Sequence, residues 1–232
     1  FVPITVAVCP PEGFDAKQDF ELKKFVPGRF FALKQLPVVY QPENQFYCVS
    51  AEYKIKEDCG LRGCGNNVVF SVDNSARIGS TDGRVNSIRF DAVVKETAKA
   101  FVGPEFLPDF LRRGTNYWVI EAGTFFELPD VVGQSQSDVY DWALVTAGPI
   151  DTENEDTGLC YANSGTWILS RNALPPADVL SALEDVAKRF GIGTAVLQPV
   201  EHEGCEYGVP AGPFSFLVSG FDVMRAFLSG LV

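Results

Sequence analysis

Over the first two thirds of the chain, apolar residues fall into short runs that alternate with polar ones or sit between turn formers. RFFALKQL, YCVSAEYKI, NVVFSVD, RVNSIRFDAVVK, KAFVGPEF, NYWVIEAG, YDWALVTAG and GTWILSRN are each rich in β-branched or aromatic residues. Gly, Pro, Asn or Asp bounds each of them, which predicts eight strands. STDGRV is a tight-turn signal between the third and fourth. The period then changes. LPPADVLSALEDVAKRFG opens on proline and closes on Gly191, the asymmetry expected of helix termini. Leu180, Leu183, Ala187 and Phe190 recur at helical spacing and predict one apolar face. TAVLQPV predicts a last strand after the helix. Two stretches interrupt the pattern. Thr124 to Ser137 separates two strands that would otherwise form a hairpin, and the acidic PIDTENEDTG (149–158) reads as a solvated loop. Several short strands with turns between them imply a sandwich or a barrel.

Composition narrows the function classes. The chain has 232 residues, the size of one moderate domain, and is 46% hydrophobic with 19 phenylalanines, enough to fill a core. A net charge of −11 repels phosphate backbones and anionic lipid, so nucleic acid is not an expected partner. Cys9, Cys48, Cys59, Cys64, Cys160 and Cys205 contain no C-x-x-C pair, and His202 is the only histidine. A metal site is therefore not expected. An even set of dispersed cysteines reads as disulfides and hence an oxidising compartment. The opening FVPITVAVCPPEG lacks a basic region and reads as a mature end with any targeting segment removed.

Three separated stretches resemble the lipocalin family. Gly28-Arg29-Phe30-Phe31 is similar to the family's Gly-x-Trp element, with Phe30 in place of tryptophan. NYWVIEAG followed by SDVYDWALV resembles the next element, where Ser137-Asp138-Val139 loosely matches the family's Thr-Asp-Tyr. GTWILSRNALPP carries Arg171 where the family has an arginine at the end of the eighth strand. YCVSAEYKI, WILSRNALPP and the late EGC look closest to the apolipoprotein D and bacterial lipocalin branch. The resemblance implies an all-β fold: an eight-stranded antiparallel up-and-down barrel with one flanking C-terminal helix (about 175–190). The domain would span 1–206, its N-terminal segment 1–25 covering one barrel end. Phe30 would plug that end, Arg171 would lie across its ring, and Gly28 would let the chain turn tightly before it. Family bridges would pair Cys48 with Cys205 and Cys9 with Cys160, leaving Cys59 with Cys64.

A barrel of this size holds one small ligand. Val49, Ala51 and Tyr53 form one alternating set on the second strand; two small residues there leave volume free. By resemblance Trp167 would face the same cavity, and Tyr117 and Val119 are candidates on the sixth strand. Such a pocket suits a lipid, carotenoid, chlorophyll or similar pigment, with no cofactor required. Residues 207–232 exceed the family pattern. From Pro213 to Val232 they read as an amphipathic apolar helix, with Ser215, Ser219, Asp222, Ala226 and Ser229 opposite Phe214, Leu217, Phe221, Met224, Leu228 and Leu231. That tail is expected to attach the protein to a membrane surface or a membrane complex. The implied setting is secreted or periplasmic, or a thylakoid lumen. Two other functions compete: an accessory structural subunit of a membrane assembly, for example a photosynthetic one, or a xanthophyll de-epoxidase-like enzyme. The enzyme reading would use Asp138 or Glu121 as acids, yet no nucleophile–base pair is evident. His202, between Glu201 and Glu203, reads as a solvated surface residue.

Overall fold

The computed structural model describes residues 8–26, 28–57, 68–104, 113–129, 131 and 136–208. The eight expected strands are β1 (Gly28–Gln35), β2 (Tyr47–Ile55), β3 (Val69–Arg77), β4 (Val85–Glu96), β5 (Lys99–Pro104), β6 (Tyr117–Gly123), β7 (Trp142–Thr146) and β10 (Thr166–Ser170). Each pairs antiparallel with the next, and β10 returns to β1, with Phe31 opposite Ser170 and Gln35 opposite Trp167. Closure removes every open edge among these eight strands, which selects the barrel over the sandwich. Two apolar clusters result. One fills the barrel and its plugged end around Phe25, Phe30, Tyr53, Phe70 and Phe90. The other lies between the outer wall and helix α2 (Ala177–Arg189), around Ile120, Leu144, Ile168 and Leu183.

Helix α2 ends as expected, with Gly191 at φ +74°. Its buried face is rotated from the predicted one: Val179, Ala182, Leu183, Val186 and Ala187 are buried, while Leu180 and Phe190 sit at the margin. The true seam uses both neighbours of the predicted stripe because a helix packed on a sheet buries a broad face. Lys34 of β1 reaches Glu184 at 2.7 Å and ties helix to barrel.

Two other expectations change. The acidic stretch is not simply a solvated loop. Thr152–Glu153 (β8) pairs with Cys160–Tyr161 (β9), and Asn154 Oδ1 accepts from the backbone N–H groups of Asp156 and Thr157 to make the turn. Ile150 beside it is fully buried, which anchors the hairpin. The predicted last strand shrinks to Gln198–Pro199 (β11), paired with Lys34 and Gln35. Proline lacks the N–H needed to extend that ladder.

Cys9 is bonded to Cys160 and Cys48 to Cys205, across sequence separations of 151 and 157 residues. The first ties the N-terminal segment to β9; the second ties the strap after β11 to β2. The expected Cys59–Cys64 bond and the tail from Pro213 to Val232 lie outside the described residues. No helix among the described residues is long and apolar enough to cross a membrane.

Candidate ligand-binding site

The floor of the barrel is built from rings. The short helix α1 (Leu22–Phe25) delivers Phe25 onto Phe30, with centroids 5.0 Å apart and the planes stacked. Tyr53 meets both edge-on, at 5.0 and 6.0 Å. The Arg171 guanidinium lies 4.3 Å from the centre of the Phe30 ring. It donates to the carbonyls of Tyr140 (2.7 Å) and Phe25 (2.8 Å), so the cation is held by backbone dipoles as well as by the ring. Burial pulls its pKa below the ordinary arginine value, and the Asp141 charge opposes that shift. Gly28 has φ +135°, and a Cβ there would stand 2.1 Å from an Arg171 guanidinium nitrogen. Glycine is required both by conformation and by the close approach of the guanidinium. The residues meeting Arg171 are Tyr140 and Asp141, a few positions beyond the Ser137-Asp138-Val139 match; Asp138 itself is exposed.

Above this floor the barrel encloses a cavity of about 80 Å³. Val49, Ala51, Tyr53, Tyr117 and Trp167 all line it, with Val72, Phe90, Val102, Val145 and Leu169 completing an apolar wall. Val119 does not reach this space; it lines a separate gap of about 10 Å³ behind the plug, with Phe20, Phe25 and Phe70. The Trp167 ring folds over Gly165, where a Cβ would stand 2.0 Å from it. Gly165 therefore sets how far the indole can retract from the lumen. At the other side Tyr40, on the turn closed by the Val38–Gln41 bridge, meets Phe90 edge-on at 6.1 Å. That ring covers the end opposite the plug.

Some polar groups inside are matched within the wall, and Gln41, Ser50, Asn74 and Ser164 add further polar side chains to the lining. Tyr53 and Tyr117 share a hydrogen bond of 2.9 Å between their hydroxyls. Burial pushes the Tyr53 phenol up to about 12 and raises Tyr117 well above the usual tyrosine value, so both are neutral hydrogen-bonding groups. The Asn116 amide is engaged at both ends by the backbone of Val102. Gln35 differs: its side chain is fully buried, and neither amide atom has a partner. No described lining residue carries a charge.

Gln35 was hidden in the sequence because simple alternation from Phe30 and Ala32 would turn Lys34 inward. The pairing of β1 with β10 slips by one residue between Ala32 and Lys34. Leu33 keeps the outward facing that alternation gives it, and the bulge there turns Lys34 out and Gln35 to the lumen. A second slip, between Val119 and Glu121, turns Glu121 out and Ala122 into the barrel in the same way.

The predicted surface position of His202 is corrected. It is only 4% exposed. Its Nε2 donates to the Ala32 carbonyl at 2.8 Å, and its Nδ1 accepts from the Tyr207 hydroxyl at 2.6 Å. A carbonyl only accepts, which sets the tautomer. Burial lowers the imidazole pKa. The residue pins the strap to the barrel's outside and takes no part in the cavity.

No family model matches the sequence, and no curated protein does. Among solved structures, the cockroach allergen Per a 4 is 12% identical, with 85% of this chain and 96% of that chain covered and a TM-score of 0.50. Lobster apocrustacyanin A1 is 14% identical over 80% of this chain and 82% of that one, with a TM-score of 0.49. Apocrustacyanin C1 is 13% identical over 78% and 80%, with a TM-score of 0.46. At such identities a likeness speaks only to fold, and the closed barrel, its flanking helix and the ring-plugged floor decide that. The fold is a lipocalin calyx. Within the calyx, the five lining residues expected from sequence come together on β2, β6 and β10, and Gln35 and Tyr40 join them from β1 and the turn beyond it.

Proposed function

We propose that this protein binds a small, mostly apolar molecule inside its calyx, and that Val49, Ala51, Tyr53, Tyr117 and Trp167 contact it. The carrying observation is the largely apolar-walled cavity above a plugged floor. At about 80 Å³ it suits a compact ligand. A carotenoid or chlorophyll would need Tyr40 and Trp167 to move aside. Binding is favoured over catalysis by the positions of the candidate acids. Asp138 is exposed, and Glu121 is paired with Lys17 at 2.7 Å; neither lines the cavity. The two long-range cystines support an oxidising compartment, secreted or luminal, and the apolipoprotein D and bacterial lipocalin-like branch. The apolar pattern from Pro213 to Val232 supports a role for that segment in attachment to a membrane or membrane complex.

Trp167 is the one tryptophan among the described lining residues, so its emission reports on the cavity. Titration with compact apolar probes should quench or shift the fluorescence, and Trp167→Phe should remove most of that response. Unchanged emission with every probe would refute a ligand-binding calyx. Deleting residues 213–232 should release the protein from membranes, and unaltered partitioning would overturn the attachment.

A further inference from the structure

Resting on the reading of the calyx as a ligand site, we infer that its ligand is uncharged and carries a hydrogen-bonding group, a carbonyl or hydroxyl, which the Gln35 carboxamide receives. The cavity wall holds an imbalance. A buried amide without a partner is costly, and native interiors rarely leave both its ends unmatched. Tyr53 is paired with Tyr117 and Asn116 with Val102, while Gln41, Ser50, Asn74 and Ser164 lie along the lining without being closed off from it. The Gln35 amide alone is left over among the described buried side chains. It is placed there by the β1 bulge, on the wall beside Ala32 and opposite Trp167 in register. In this conformation the amide is closed off from solvent. A rotation about its side-chain torsions would turn the donor and acceptor to an occupant.

The wall also argues for neutrality. A carboxylate would be desolvated with no described cation along the lining to pair with it. It would also approach a chain whose net charge is −11. A pure hydrocarbon would fit the wall but leave the amide unmatched. An amide both donates and accepts, so it can serve either a carbonyl or a hydroxyl.

Three five-carbon probes, matched to the small volume of the cavity, separate these chemistries: 2-pentanone, pentane and pentanoate, each titrated into the full chain near neutral pH by Trp167 fluorescence and calorimetry. The expected order is 2-pentanone tightest, with pentanoate weakest by tenfold or more. Gln35→Met keeps the length of the side chain and removes the amide. It should weaken 2-pentanone by about five- to tenfold while leaving pentane equal or tighter. The same variant should melt at a higher temperature without probe, because an unmatched buried amide has been removed. Gln35→Leu gives a second apolar replacement if the methionine packs badly. Equal binding of all three probes to the parent chain, or equal weakening of 2-pentanone and pentane in both variants, would overturn the role of Gln35 while leaving the calyx a ligand site. Failure of all three to bind would remove the ligand site itself.

Discussion

At the residue scale, the plug is the position where single atoms decide most. Phe30 replaces an indole with a smaller ring, yet the guanidinium above it remains, because Arg171 is held by the carbonyls of Tyr140 and Phe25 as well as by the ring. Removing the cation leaves those carbonyls buried without a donor. Arg171→Met should therefore destabilise the fold by about 3 kcal/mol, measured by urea unfolding. Gly28→Ala sets a methyl against the same guanidinium in a backbone conformation unfavourable to L-residues. It should cost about 2–4 kcal/mol, and the double variant with Arg171→Met should lose less than the sum, since the clash then disappears.

At the element scale, helix and strap are both fastened to the outside of the barrel. Leu183 on α2 is fully buried against the wall, and Leu183→Ala should cost about 2–5 kcal/mol in the same unfolding measurement. The strap depends on pH. His202 is buried as the neutral ring and its pKa is lowered, so the unfolded chain binds the proton more readily than the folded one. Its contribution is whole above the ordinary histidine value of about 6.5 and is lost as pH falls through it toward the folded value. Protonating Nδ1 also evicts the Tyr207 hydroxyl from its role as donor. The protection of residues 200–207 against hydrogen exchange, relative to intrinsic exchange at each pH, should fall between about pH 7 and pH 5, and His202→Phe should flatten that dependence. The Cys48–Cys205 bond limits how far the strap can go. Reducing both cystines should lower stability by roughly 2–4 kcal/mol for each.

At the scale of the whole molecule, capacity is set by rings converging from distant parts of the chain. Tyr40 covers one end, Phe30 and Tyr53 close the other, and Trp167 intrudes from β10. Enlarging the space without opening the floor is therefore a matter of one residue. Tyr40→Ala should strengthen binding of a bulky apolar probe such as retinol by about tenfold and change 2-pentanone little, read by fluorescence titration. Any ligand that binds only the folded barrel should also raise its melting temperature, by about 2.7 kcal/mol of added stability at a hundredfold excess over Kd.

Local chemistry by itself determined the eight strands, the span of α2 and its glycine stop, since period, turn formers and helix ends are written in neighbouring residues. Resemblance to a known family added the Gly28–Phe30–Arg171 plug and the two long-range bonds, which no local pattern contains. Only the tertiary structure decided the rest. The slips at Leu33 and Ile120 reverse the facing of the residues beyond them, and a slip exists only between two paired strands. That is why Gln35 lies inside. Val119 keeps its inward facing, but its depth beside Phe20 and Phe25 puts it in a compartment behind the plug, which only the packed barrel shows. The burial of His202 depends on Ala32, 170 residues away, offering a carbonyl at the bulge. The volume of the calyx is likewise a sum over side chains that meet only once the barrel closes.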